Sequence, residues 1–316
     1  MFSKNLEFYR LKNNMTKKKL ASLCSLSSID ISNYESGKRY PENMDIIQSL
    51  ANALGVKVSD FLVTWNKSLI FKHGEFRKTV KLNLQTQKYI SKAVEEYFNR
   101  FFTVIEILGD QVLPAPLKCH CLTLNDDIEQ SALVMRKHLS LPEHGPIGNL
   151  IERLENKGIF MYACDIDNDS FFGRNGFVNS YPYIIFNKHM PPERTRSDIA
   201  HELAHLLFKW PNDLSPKNCE KIATAIGGAF LCPANDMKRE LGLARKNITK
   251  DMLLVCKEYG VFMSMLVKRA EVCNIINKKT AGDFLYIRGN VEYINMKPLL
   301  FRQKNQVYLN SLYIEQ

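Results

Sequence analysis

The sequence has little of what would mark a membrane or secreted protein. None of its apolar runs approaches the roughly 18 residues of a membrane-spanning helix. The N-terminal Met-Phe-Ser-Lys-Asn-Leu-Glu lacks the apolar segment of a secretion signal. Internal repeats and low-complexity linkers are also missing. We therefore expect a cytoplasmic protein that has no membrane partner.

The cysteines show no pattern of pairing. All eight are scattered, and in a chain without an export signal they are expected to be reduced thiols. Cys119-His120-Cys121 is the one close group, yet no second pair of ligands lies near it, and structural zinc needs four. The pattern therefore favours a loop or strand with buried thiols over a metal site.

Length and composition are those of an ordinary globular protein. The chain has 316 residues, of which 45% are hydrophobic and 24% charged. This length predicts two to three domains. The net charge of +10 permits nucleic-acid binding without proving it.

A metal-binding pattern stands out at residues 201–205, His-Glu-Leu-Ala-His. Ile199, Leu203, Leu206 and Leu207 recur at helical spacing around it, which predicts an amphipathic helix. On that helix His201 and His205 lie one turn apart on one side, as two ligands of a zinc ion require. Glu202 is rotated about 100° from His201, beside the ion, where it could deprotonate a bound water.

A catalytic zinc site needs a third protein ligand and an open fourth position. Glu220 is the best candidate, since it lies on a second predicted helix that ends at Pro233. It shares a face with Ala223, Thr224 and Gly227, whose small side chains would let another helix come close. The motif can also occur by chance on a helix whose histidines are merely solvated or packed. The amphipathic helix and the later glutamate favour the metal site.

These residues carry a resemblance to the ImmA/IrrE-type zinc metallopeptidase family. The resembling motifs are Arg194-x-Arg196-x-Asp-Ile-Ala-His-Glu-Leu-Ala-His-Leu-Leu, Glu220-x-x-Ala223 and Phe230-Leu-Cys-Pro233. Pro182-Tyr-Ile-Ile-Phe-Asn187 is similar to the segment that precedes the motif in this family. The resemblance implies a gluzincin-like fold, zinc held by His201, His205 and Glu220, and Glu202 as general base. It also implies that the strand over 181–187 pairs with extended substrate.

The first 62 residues predict five short helical segments. Thr16 and Ser27 are suited to cap the second and third, and Gly37 and Gly55 to end the third and fourth. The pattern resembles the Cro/repressor-type (XRE) helix-turn-helix family. The matching marks are Thr16-x-x-x-Leu20-Ala21, the run from Ser27 to Pro41, and Leu54-Gly55-Val56.

That second resemblance implies binding to double-stranded DNA, with Ser28–Ser36 as the recognition helix in the major groove. Ser28, Ser32 and Asn33 would face base edges or nearby phosphates. Lys17, Lys38 and Arg39 would hold the phosphate backbone, and Glu35 would tie helices together. A helix-turn-helix module that no longer binds DNA, or that mainly dimerises, stays open.

Together these observations predict an α+β protein. We expect an all-α helix-turn-helix domain over 1–64 and a helical connecting region over 65–140. A metallopeptidase domain, with a small sheet, the His-Glu helix and the Glu220 helix, would span 141–280. Small strands or a tail would occupy 281–316.

The predicted function is that of a DNA-binding regulator with a zinc-dependent endopeptidase. The family resemblance suggests that the protein substrate is a repressor, whose cleavage switches genes on. The alternative is a non-enzymatic regulator or antitoxin-like protein, whose metallopeptidase fold senses or binds a partner. A homodimer is also left open.

Overall fold

The computed structural model describes residues 1–66, 68–74, 82–109, 112–168 and 170–289. By its contacts the chain divides into two units, Met1–Pro233 and Ala234–Gln316. Helices and a small mixed sheet confirm the predicted α+β class. No helix in the described part of the chain is long and apolar enough to cross a membrane.

Five helical segments open the first unit. They are α1 (Phe2–Lys12), α2 (Lys17–Leu23), α3 (Ser28–Ser36), α4 (Met44–Leu54) and a 3-10 helix (Val58–Leu62). Both predicted caps are present, because Thr16 accepts from the Lys19 amide and Ser27 from the Asp30 amide, each at 3.1 Å. Helix α4 begins at Met44, three residues after Pro41, because the Asn43 side chain caps its first turn.

These helices enclose a small core of their own. Its fully buried members include Leu6, Leu20, Ile31, Leu50 and Phe61. Beside this core, the Glu35 carboxylate on α3 forms a buried ion pair with the Arg10 guanidinium on α1. A second bond, from Arg10 Nη2 to Glu35 Oε2, measures 3.0 Å. Glu35 therefore ties α3 to α1, as predicted.

Residues 65–140 are more than a connection between two domains, because they contribute strands as well as helices. They contain strand β1 (Phe71–His73), helix α5 (Leu84–Leu108), strand β2 (Leu122–Thr123) and helix α6 (Ile128–His138). The prediction of a helical region missed both strands, because each is only two or three residues long and gains its stability from a partner strand far along the chain. Strand β1 pairs with β4, and β2 pairs with β6.

The main sheet has four strands in the order β1-β4-β5-β3. Helix α7 (Leu150–Glu155) precedes its three later strands, β3 (Phe160–Cys164), β4 (Gly173–Val178) and β5 (Tyr181–Asn187). The pairs β1–β4 and β4–β5 are antiparallel, and β3–β5 is parallel. Strand β5 therefore has a neighbour on both sides, which corrects the expectation that it pairs with substrate: its backbone hydrogen bonds are already taken by β4 and β3.

Two helices follow the sheet and complete the first unit. They are α8 (Pro192–Leu207) and α9 (Pro216–Leu231), with the short strand β6 (Phe208–Lys209) between them. Helix α8 packs on β4, β5 and α9, and α9 packs on α6. Inside this packing the Arg136 guanidinium of α6 donates to the Phe230 carbonyl of α9 at 2.8 Å.

The second unit is helical where it is described. It contains α10 (Ala234–Leu241), α11 (Met252–Tyr259), α12 (Met263–Val272) and α13 (Lys278–Gly289). Helix α13 corrects the prediction of small strands or a tail at the start of 281–316. The Asn277 side chain accepts from the Thr280 amide at 2.8 Å, and this cap starts a helix that runs through residues 281–289. The rest of the predicted tail, 290–316, lies outside the described residues.

The Arg10–Glu35 pair generates a stability prediction. Glu35→Ala leaves the Arg10 guanidinium, which is 5% exposed, without its counter-charge. Removal of one partner from a buried pair costs about 3–5 kcal/mol, so we expect a loss of that order in the free energy of unfolding. Urea unfolding of the full chain, followed by circular dichroism, measures the loss.

The double variant Arg10→Met with Glu35→Leu is the matched control. It should lie near wild type, because apolar groups of similar volume often replace a buried ion pair without loss. If Glu35→Ala unfolds at the same urea midpoint as wild type, the Glu35 carboxylate does not stabilise the packing of α3 on α1.

Candidate metal centre and nucleic-acid interface

The two histidines of the motif lie on the buried side of α8. Pro191 and Pro192 start this helix, and from Asp198 to Leu207 every residue except His205 is buried. His201 and His205 are one turn apart, and their rings meet edge to face with centroids 4.7 Å apart. The side chain of His201 is 5% exposed and that of His205 is 20% exposed, so the pair opens to solvent at its His205 end.

Glu220 on α9 completes a triangle of ligand atoms. Its carboxylate oxygens lie 3.3 Å from His201 Nε2 and 3.2 Å from His205 Nε2. The two Nε2 atoms are 3.1 Å apart. Zinc ligands at about 2.0–2.1 Å in a tetrahedron stand about 3.3–3.4 Å from one another. The three side chains therefore fit one zinc ion with little adjustment.

No other group of three such side chains gathers in the part of the chain that the structure describes. Among the described His, Cys, Asp and Glu residues, only His201, His205 and Glu220 form a group of three whose ligand atoms all lie within 4.8 Å of one another. Cys119 and Cys121 instead direct their Sγ atoms at the carbonyls of Leu117 and Lys118.

Gly227 explains how α9 comes close enough. A Cβ atom at this position would lie 3.2 Å from both the Ala200 carbonyl carbon and the His201 amide nitrogen. The predicted small-residue face therefore lies against the backbone of α8 at the first histidine. Ala223 lies one turn before this contact on α9, and Glu220 lies two turns before it. The close packing therefore places the Glu220 carboxylate beside the imidazoles.

The partners of Glu220 depress its pKa. Burial by itself would raise the pKa of this carboxyl group. Hydrogen bonds and charge interactions with His201 and His205 outweigh that effect and hold the pKa well below its ordinary value. Glu220 is therefore an anion throughout the neutral range, as a metal ligand must be.

Glu202 lies between α8 and the sheet. It is 3% exposed, and its Oε2 accepts a hydrogen bond of 2.8 Å from Asn175 Nδ2 on β4. Gly173, two residues earlier on the same face of β4, also lies next to Glu202, since a Cβ there would be in ordinary contact with Glu202 Cγ at 3.5 Å. The carboxylate is thus held in place, and it follows His201, the first histidine of the candidate metal site, in the sequence.

Two polar side chains of the site were missed in the sequence. Asn175 gives no local signal, because its approach to Glu202 depends on the packing of β4 against α8. Thr224 does give a signal, since it follows Glu220 by four residues on one helix and so shares its face. The small-residue face predicts only a packing role for Thr224, whereas its Oγ1 lies 3.0 Å from His201 Nδ1.

The helix-turn-helix residues lie on and around α3. This helix spans Ser28–Ser36, the predicted recognition helix, and Ser28 at its start is exposed. Ser32 and Asn33 are half-buried. Lys17 does not project freely, because its Nζ lies 3.1 Å from Ser32 Oγ and 3.4 Å from Glu35 Oε2.

The other two predicted phosphate contacts differ in their surroundings. Lys38 and Arg39 follow α3 and are both exposed. The Arg39 guanidinium pairs with Glu42 and lies 3.4 Å from Asp30 Oδ1. Among the described residues, none forms an ion pair with the Lys38 ammonium. Lys38 is therefore the more available cation of the two.

A helix-turn-helix arrangement followed by a His-His-Glu metal group defines a class: a DNA-binding regulator joined to a metallopeptidase-like domain. Comparison with known families agrees with this class. Residues 6–61 match the helix-turn-helix family of XRE type, and residues 159–271 match the family described as the IrrE N-terminal-like domain. The two matches confirm the predicted fusion. No curated protein matches the chain.

The contact at Gly227 generates a prediction about the metal site. Gly227→Val would force α9 away from Ala200 and His201, because overpacked helices separate. Zinc affinity should then fall by about tenfold or more, as it does when the support of a ligand is disturbed. Competition with a chromophoric chelator measures that affinity.

Ala225→Val is the matched control, because Ala225 is exposed on the same helix and carries the same substitution away from α8. It should bind zinc as tightly as wild type. Equal zinc affinities for Gly227→Val and Ala225→Val would show that the site does not depend on the close contact between α9 and α8 at Gly227.

Proposed function

We propose that this chain is a DNA-binding transcriptional regulator with a gluzincin-like, zinc-dependent endopeptidase site. Its substrate would be a repressor or partner regulator, whose cleavage derepresses genes. The observation that carries the proposal is the triangle of His201, His205 and Glu220, whose sides of 3.1–3.3 Å suit one zinc ion. Support comes from the buried carboxylate of Glu202, which follows His201 on α8.

The chemistry follows from the placement of these side chains. A zinc ion held by His201, His205 and Glu220 would supply a Lewis acid for a peptide carbonyl and for a water molecule. Glu202 takes a proton from that water as it attacks the carbonyl carbon. The same carboxylic acid then donates the proton to the amine nitrogen that leaves. Asn175 holds the Glu202 carboxylate in place through a hydrogen bond to Oε2.

The partly exposed side of the metal centre suits a polypeptide substrate. The side chains of His205 and Glu220 are 20% and 26% exposed, whereas His201 and Glu202 lie deeper and are buried. A peptide would therefore approach from the side of His205 and Glu220. This direction leaves the buried face of α8 to hold the catalytic groups still.

The DNA-binding part of the proposal rests on α3. Its N-terminal half would enter the major groove, where Ser28, Ser32 and Asn33 reach base edges or phosphates. Lys17, Lys38 and Arg39 would neutralise phosphates on either side. Arg39 and Lys17 must first give up carboxylate partners of the same domain, so Lys38 should contribute most to the attraction.

Glu202→Gln tests the peptidase. Glutamine keeps a carbonyl oxygen for Asn175 but cannot take a proton, so cleavage should fall by about 10²- to 10⁴-fold. Zinc content should stay near one ion per chain, since Glu202 is not a ligand. The measurement is quantitative proteomics of cells that carry wild type or Glu202→Gln, searched for a fragment that only wild type produces.

His205→Ala is the companion variant and should lose both the zinc and the fragment. If the same fragments accumulate with Glu202→Gln and with wild type, the carboxylate is not the base. If wild type binds zinc yet produces no fragment of its own, the non-enzymatic regulator becomes the better account.

Salt dependence tests the DNA interface. Lys38→Ala should weaken binding to every duplex and reduce the slope of log K against log salt by about 1. Arg39→Ala should change the slope less, because Arg39 exchanges Glu42 and Asp30 for phosphate. Fluorescence anisotropy over a salt series provides the slopes. Failure of wild type to bind duplex DNA at low salt would instead favour an interaction module.

A further inference from the structure

Thr224 lies behind the metal centre and touches both of its helices. Its Oγ1 is 3.0 Å from His201 Nδ1, on the far side of the imidazole from the ligand triangle. The same Oγ1 is 2.8 Å from the Glu220 backbone carbonyl, one turn earlier on α9. From this geometry we infer that Thr224 is a positioning residue that fixes the tautomer and orientation of His201. The inference rests on the proposed zinc site.

The count of hydrogens at Thr224 decides the direction of the bond. A threonine hydroxyl has one hydrogen and accepts through two lone pairs. The Glu220 carbonyl can only accept, so the hydroxyl hydrogen goes to it. Towards His201 the hydroxyl can therefore only accept. It follows that His201 Nδ1 carries the hydrogen and donates it to Thr224.

The ligand side of the ring leads to the same tautomer independently. His201 Nε2 points at Glu220 Oε2 and at His205 Nε2, at 3.3 and 3.1 Å. A metal at the centre of that triangle needs a lone pair on Nε2, which a neutral imidazole has when its hydrogen is on Nδ1. Thr224 thus stabilises the tautomer that the metal requires, as outer partners of metal-binding histidines do.

Helix α9 would then contribute both a ligand and a positioning residue to the metal site. It provides the Glu220 carboxylate as a ligand and, four residues later on the same face, the hydroxyl that orients a ligand of α8. The contact at Gly227 brings both within reach. The Glu220 backbone carbonyl also contributes, because it accepts the hydrogen bond from the single hydroxyl hydrogen of Thr224.

Exposure of Thr224 makes the role separable from packing. The residue is exposed to solvent, so a water molecule can reach its place when the side chain is shortened. Alanine would admit that water as a weaker acceptor. Valine has the shape of threonine and would exclude the water without accepting a hydrogen bond. Serine would keep the hydroxyl.

The test is a series of zinc affinities in the full-length chain with zinc alone as ligand. Chelator competition should give an affinity for Thr224→Ser near that of wild type. We expect Thr224→Val to bind about 10- to 100-fold more weakly and Thr224→Ala to lie between the two. Ala225→Val controls for a β-branched residue in α9 and should behave as wild type.

A spectroscopic readout keeps the inference apart from a merely structural role. In the zinc-loaded protein, the Nδ1 hydrogen of His201 should resonate at the low field of a hydrogen-bonded ring N–H in wild type and in Thr224→Ser, and should move upfield in Thr224→Val. An Nδ1 resonance that is the same in Thr224→Val as in wild type, or a Thr224→Val variant that binds zinc like wild type, would overturn the inference and leave the peptidase proposal standing. A folded wild type that binds no zinc would overturn both.

Discussion

The close approach of α8 and α9 is the constraint on which the site depends. Their backbones meet at Gly227, where a Cβ atom would come within 3.2 Å of Ala200 and His201. Because the carboxylate and the imidazoles lie on different helices, the packing of α9 against α8 brings them together. The fully buried Leu203, Leu206 and Leu207 hold the other side of α8 in the core, so the histidines cannot move away.

A second layer of packing joins this site to the DNA-binding helices. Helix α8 lies against β4 and β5, and α5 packs below the sheet on residues such as Tyr183. Helix α1 in turn packs on α5, where Phe8 and Tyr89 stack with ring centroids 6.4 Å apart. The Asn99 amide of α5 donates to the Thr64 carbonyl at 3.0 Å, just beyond the last N-terminal helix. The helix-turn-helix segment is therefore built onto the body that carries the metal centre.

Many of these features could be predicted from the sequence because they depend on residues close together in the chain. Ser27 as a cap and Gly37 as an end predict a helix between them, and α3 spans Ser28–Ser36. Two histidines four residues apart on an amphipathic helix must leave the same side of it. Tertiary information was needed for the rest. Strands β1 and β2 are too short to be seen without their partners, and β5 is interior because β4 returns beside it. Asn175 reaches Glu202 only through the packing of a strand on a helix.

The zinc coordination shell is the most direct test of the central claim. X-ray absorption at the zinc edge of the loaded full-length protein reports the donor atoms and their distances. Two imidazoles and a carboxylate predict only nitrogen and oxygen scatterers at about 2.0–2.2 Å. Sulfur at about 2.3 Å would place the ion on cysteines instead and contradict the His201, His205 and Glu220 site.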